Sequence, residues 1–157
     1  MTTYTARPIE PAVLKELRTT DDAGRPMNPF TDREGGAPLR CCLRRSAPGE
    51  RIALVSYAPL RRWAARTGAA LGAYDEQGPV FLHADECEGP DLRGHPFSNA
   101  HRTVRRYSRE GHILGGRLVE EDFEAAFAEA FADPAVTLVH VRAVEYGCFL
   151  YEVRRDR

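Results

Sequence analysis

Val136-Thr137-Leu138-Val139-His140-Val141-Arg142-Ala143-Val144, then Glu145-Tyr146-Gly147, then Cys148-Phe149-Leu150-Tyr151-Glu152-Val153-Arg154 is the stretch whose reading decides the fold. Two runs rich in β-branched and aromatic residues flank three turn-forming ones, which is the pattern of a β-hairpin. A connection that short requires antiparallel pairing, because a parallel return needs a crossover of about a dozen residues. Upstream, residues 103–108 and 113–119 read as a second hairpin turning at Glu110-Gly111. Residues 40–45 and 51–58 read as a third, joined by Ala47-Pro48-Gly49. The unbroken Ile52-Ala53-Leu54-Val55 predicts a strand covered on both faces, and residues 79–84 a short buried strand.

Helices fill the gaps. Ile9, Val13, Leu14 and Leu17, with Pro11 in the first turn, predict a short helix near residues 10–18. Leu60, Trp63, Ala64, Thr67 and Leu71 follow helical spacing, with Arg61, Arg62 and Arg66 opposite. Phe123, Ala126, Phe127, Ala130 and Phe131 form an apolar stripe between Glu120-Glu121-Asp122 and Asp133-Pro134. Pro26, Pro29, Gly35, Gly36 and Pro38 make residues 19–38 a long surface loop, and residues 85–100 are also loop-like. The expected class is α+β: a mostly antiparallel sheet with two or three helices packed on one side, in one domain spanning residues 1–157.

Composition narrows the function classes. With 157 residues, 43% hydrophobic and 29% charged, the chain can bury an ordinary soluble core. A formal net charge of −1 gives no overall field for nucleic acid or an anionic membrane. No apolar run nears the roughly 20 residues of a membrane span. The start lacks a basic segment followed by an apolar one, so no secretory signal is expected. The four cysteines are therefore expected as reduced thiols in a cytoplasm, not as two disulfides. Lys15 is the only lysine, a bias toward arginine that genomic base composition explains.

The chemistry-bearing residues cluster at strand ends. They are Cys41-Cys42, His83 with Cys87, and His140 with Cys148; His95 sits in a loop. Adjacent residues on a strand point to opposite faces, so Cys41 and Cys42 are not expected to share a pocket unless the strand is bulged. His83 and Cys87 would stand roughly 13 Å apart fully extended. A turn at Asp85-Glu86 is needed to bring them together. If the last hairpin turns on three residues, Val144 pairs with Cys148, and His140, Arg142 and Cys148 lie in a row on one face. A slip of one residue reverses that.

Three accounts compete. The plainest is core thiols and satisfied strand histidines. The second is a metal centre drawing on His83 or His140 with Cys87, Cys42 or Cys148, a donor set suited to zinc or iron. The third is a metal-free pocket with a cysteine nucleophile and a histidine base. Elsewhere, Arg102, Arg105, Arg106 and Arg109 around Tyr107 read as a solvated strand face rather than a contact for phosphate backbone. The chain has neither a P-loop nor a Gly-x-Ser-x-Gly elbow.

The segments Leu39-Arg40-Cys41-Cys42-Leu43-Arg44, Pro48-Gly49-Glu50, and residues 78–87 resemble a bacterial family known only as a domain of unknown function. So do Val139-His140-Val141-Arg142 and Tyr146-Gly147-Cys148-Phe149. The resemblance runs from about Ile9 to the C-terminus and implies a small cytosolic protein with this Cys/His pattern. It carries over Arg40, Cys42, His83, Cys87, His140, Arg142, Tyr146 and Cys148 as motif residues. Two departures stand out: Cys41 occupies a position where the family often has histidine, and the helix around Trp63 is longer than usual. The expectation is a small-molecule enzyme with a Cys/His pocket, dependent on zinc or iron or using a cysteine nucleophile. Arg40 and Arg142 would orient an anionic group. The alternative is a non-catalytic ligand-binding or interaction domain with structural thiols.

Overall fold

The computed structural model of the chain describes residues 4–91 and 93–155. Residues 1–3, 92 and 156–157 of the expected domain lie outside the described residues. The elements run α1 (Pro11–Leu17), β1 (Phe30–Asp32), β2 (Glu50–Tyr57), α2 (Pro59–Thr67), β3 (Gly78–His83), β4 (Arg102–Tyr107), β5 (Ile113–Val119), α3 (Phe123–Ala132), β6 (Leu138–Ala143) and β7 (Phe149–Arg154). The class is α+β and the strands pair antiparallel. They divide into a three-stranded sheet, β1-β2-β3, and a four-stranded sheet, β5-β4-β6-β7. Among the described residues, no helix is long and apolar enough to cross a membrane.

Strand parity sets what each face carries. On the four-stranded sheet, Val104 pairs with Val141, so Val139, Val141 and Ala143 share its face, and Phe127, Ala130 and Phe131 of α3 pack there. Tyr107 pairs with Leu138 on the opposite face, against Leu60 of α2 and Leu71. The four-stranded sheet thus carries helix on both faces. On the three-stranded sheet, Ala53, Val55, Val80 and Leu82 face Leu14 and Leu17 of α1. Its other face presents Phe30, Ile52, Leu54 and Phe81, and Leu54 there is 51% exposed, so β2 is not covered on both faces as its sequence predicts.

Residues 40–45 do not form the expected strand. The partner of β2 is instead β1, a three-residue strand inside the 19–38 loop, with Phe30 opposite Ile52 and Asp32 opposite Glu50. Residues 39–44 fold into a tight turn. The Leu43 N–H donates to the Leu39 carbonyl at 2.9 Å, and the Leu39 N–H to that of Arg44 at 2.9 Å. Leu43 takes a left-handed φ of 56° to close it. The turn is pinned to the sheet by the Arg40 N–H, which donates to the Phe81 carbonyl at 2.9 Å.

The last hairpin also departs from its expected register. His140 pairs with Glu152 and Val141 with Tyr151, but Arg142 pairs with Phe149, so Leu150 is an extra residue. The Ala143 N–H donates to the Cys148 carbonyl at 2.9 Å, and the Gly147 N–H to that of Ala143 at 2.9 Å. The turn therefore holds four residues, not three, and Val144 is not opposite Cys148. The bulge puts Phe149 beside His140, ring centroids 4.9 Å apart, in the place opposite Arg142 that the expected register gives to Leu150.

Candidate functional site

The turn at residues 39–44, the end of β3 and the loop that follows bring four ligand groups together. One donor atom from each of Cys41, Cys42, His83 and Cys87 lies within 4.8 Å of all the others. On a strand Cys41 and Cys42 would diverge. On this turn both sulfurs reach the same side of His83. His83 Nδ1 is 3.4 Å from Cys41 Sγ and 3.8 Å from Cys42 Sγ. A bend at Ala84-Asp85, directly after β3, returns Cys87 toward its own strand end. His83 and Cys87 are thus brought together as the turn requirement anticipated.

Each donor is held from behind. His83 Nε2 lies 2.7 Å from Glu50 Oε2 on the neighbouring strand. The Ala47 N–H and the His83 ring hold the Glu50 carboxyl below the ordinary carboxylate range. An ionised Glu50 accepts the Nε2 proton and leaves the Nδ1 lone pair facing the sulfurs. The His83 backbone N–H donates to Cys41 Sγ at 3.2 Å, and Arg18 Nε to the His83 carbonyl at 3.1 Å. A hydrogen bond from Cys41 pulls the Cys42 thiol down, helped by the Arg44 backbone N–H. The same bond, with burial, pushes Cys41 up. Cys41, Cys42 and His83 are buried, while Cys87 is half-buried and borders the solvent-facing clefts.

The other expected site residues lie elsewhere. His140 is fully buried in the four-stranded sheet, its Nε2 3.1 Å from Glu152 Oε1 and its ring 4.6 Å from that of Tyr107. Its Nδ1 has no partner among the described residues. Burial holds the His140 ring below its ordinary pKa, against the raising effect of Glu152. Arg142 is occupied at the hairpin turn, donating to the Gly147 carbonyl at 2.8 Å and lying 3.5 Å from Glu76. His95 pairs with Glu124 at 2.9 Å beside Phe123 and Phe127.

Arg40, Tyr146 and Cys148 meet on the far side of the 39–44 turn. Arg40 is 1% exposed and donates from Nε to the Phe149 carbonyl at 2.7 Å, from Nη1 to the Pro38 carbonyl, and from Nη2 to Cys148 Sγ at 3.3 Å. With exposed Tyr146 and half-buried Cys148 it lines a cleft between the two sheets.

The sequence reading did not pair Cys41 with His83, gave Glu50 no role, and placed Arg102 on a solvated strand face. Glu50 stands in the Pro48-Gly49-Glu50 segment, where a carboxylate directly after a turn could have drawn attention. Arg102 reads as surface charge but is 3% exposed. A family model described as a protein of unknown function (DUF1203) matches residues 36–155, which include every residue of both clusters. Neither a curated protein nor a solved structure matches the chain.

Proposed function

The chain belongs to the DUF1203 family, whose function is unknown, and from its own residues we propose that it is a metal-binding protein in which Cys41, Cys42, His83 and Cys87 hold one zinc ion. The observation that carries the reading is the spacing of the donors. Zinc–sulfur and zinc–nitrogen bonds of about 2.3 and 2.0–2.1 Å in a tetrahedron put neighbouring donors about 3.6 Å apart. His83 Nδ1 stands 3.4 and 3.8 Å from the sulfurs of Cys41 and Cys42. Three sulfurs and one imidazole suit zinc better than magnesium or calcium, and iron is the competing occupant. Glu50 behind His83 supplies the carboxylate that orients such a ligand.

A set of four protein donors leaves no open coordination position, which is the mark of an ion that serves the fold. Here it would join the 39–44 turn, the end of β3 and the loop beginning at Ala84. A reaction on a small molecule would therefore not run on this ion.

Elemental analysis of the purified protein, and of protein refolded with zinc, tests the reading. One equivalent of zinc is expected, lost in Cys87→Ser, and cobalt substitution should give thiolate-to-cobalt charge-transfer absorption. Protein that takes up no stoichiometric metal under either condition refutes it. Rapid alkylation of Cys42 at neutral pH in such protein would favour the cysteine nucleophile with His83 as its base.

A further inference from the structure

The cleft on the other side of the 39–44 turn is a second site. It has a volume of about 810 Å³ and mostly apolar walls, with Phe30, Leu54 and Phe81 from the open face of the three-stranded sheet. Two buried arginines line it: Arg40 at 1% and Arg102 at 3% exposure. The exposed Arg45 joins them from the end of the turn, and the charges of Arg102 and Arg45 both bear on Arg40.

Three carboxylates, Asp32, Glu34 and Glu145, share the lining, but among the described residues none of them pairs with Arg40. Glu145 reaches Arg102 only at 3.6 Å, from a largely exposed side chain. Asp32 is engaged by Ser46 Oγ at 2.5 Å and by the Gly35 N–H at 3.0 Å. Among the described residues, Arg40 hydrogen-bonds two carbonyls and a sulfur and pairs with no carboxylate. A guanidinium stays charged in any protein environment, and burying it without a counter-ion is unfavourable. Of its five N–H donors, three are used, and two remain for a ligand.

We propose that this cleft binds a small organic carboxylate with an apolar body, its carboxylate on Arg40 and Arg102 and its apolar part on Phe30, Leu54 and Phe81. The planar fork of a guanidinium matches a carboxylate, and the apolar walls suit an aryl or alkyl chain rather than a bare anion. Arg45 adds charge at the rim. Cys148, 3.3 Å from Arg40, stands where a bound carboxylate would sit and serves as a reporter for it. The site shares no side chain with the Cys/His cluster, so its test needs no metal.

The test compares alkylation of Cys148 by iodoacetate and by iodoacetamide, read by peptide mass spectrometry on the folded and the urea-unfolded chain. In each case the thiolate sulfur displaces iodide and forms a thioether; the reagents differ in carrying a carboxylate or a neutral amide. In the folded protein the iodoacetate-to-iodoacetamide rate ratio should exceed that of the unfolded chain by about tenfold, the worth of one charge-assisted hydrogen-bonded contact. Benzoate should suppress the excess, and inorganic phosphate at equal concentration should not. Arg40→Gln should abolish it. If that variant does not fold, Arg45→Ala at the exposed rim should lower it severalfold. A ratio no higher than in the unfolded chain, or one indifferent to benzoate, overturns the proposal. If Cys148 resists both reagents, direct titration with benzoate decides, and a lack of saturable binding overturns it.

Discussion

His83 Nε2 and Glu50 Oε2 lie 2.7 Å apart across the β2–β3 ladder, and that contact fixes which ring nitrogen faces the three sulfurs. Glu50→Gln keeps an acceptor but removes the charge, and Glu50→Ala removes both. Metal affinity should fall by about tenfold in the first and up to about a hundredfold in the second, the range for loss of an outer-shell carboxylate. Competition with a chromophoric chelator measures it; unchanged affinity in both variants would separate Glu50 from the metal centre.

If the Cys/His cluster holds the proposed zinc ion, stripping it should cost stability. A metal present at a thousand times its Kd contributes about 4 kcal/mol. A chain of this length shifts by about 2–4 °C for each kcal/mol. A strong chelator should therefore lower the melting temperature by roughly 10 °C, reversibly on adding zinc, with little further change in Cys87→Ser.

Acid should weaken the fold through His140 and Glu152. Burial holds the His140 ring below its ordinary pKa, so in the unfolded state it binds a proton that the folded state refuses. Glu152 is also held below its ordinary value: burial alone would raise it, but His140 and Arg154 outweigh that. Both shifts carry the same sign, so stability rises with pH wherever the unfolded chain holds more protons. The loss on acidification should begin near pH 6.5 with His140, and deepen below about 4.5 with Glu152. Urea unfolding from pH 7.5 to 5 should show a steeper decline in the wild type than in His140→Gln, whose side chain stays neutral. Equal slopes would remove His140 from the account.

Asp22 links the 19–38 loop to the start of α2. Its side chain is 7% exposed, accepts the Ala58 N–H at 2.7 Å, and lies 2.7 Å from Arg62 Nη2. Asp22→Ala leaves a backbone donor and part of a guanidinium without partners. It should destabilise the protein by about 2–3 kcal/mol in urea titration, with metal stoichiometry unchanged. A loss below about 0.5 kcal/mol, ordinary for a surface change, would show that water replaces both contacts.

The antiparallel class and the three helices were legible because short connections and apolar periodicity act locally. The Phe123–Phe131 stripe needed only helical spacing, and two of the three expected hairpins only the length of their turns. What lay beyond the sequence depended on single residues. Leu43 adopts a left-handed backbone that non-glycine side chains rarely take, and that one angle makes residues 39–44 a turn instead of a strand. With it, Cys41 and Cys42 change from neighbours on opposite faces to thiols around one imidazole. Leu150 does the same in the last hairpin, where one extra residue shifts the strand by one, takes Cys148 off the face of His140 and seats Phe149 opposite Arg142. Arg102 was misjudged because burial of a charge depends on what surrounds it in space, here the cleft between two sheets. His83 and Cys87 were the legible part of the Cys/His cluster, since a bend after a strand was all they required.

Arg40 and Cys41 are consecutive residues, yet one faces the cleft and the other the metal cluster. A ligand at either proposed site that fixed the backbone between them would fix it for the other, and two equilibria joined in that way are coupled. Such coupling is reciprocal: the factor by which the ion raises carboxylate affinity equals the factor by which the carboxylate raises ion affinity. The left-handed Leu43 costs roughly 1–2 kcal/mol, an energy comparable to that of typical coupling between sites. A six-residue turn would then tie the proposed metal site and the proposed carboxylate site to one backbone conformation.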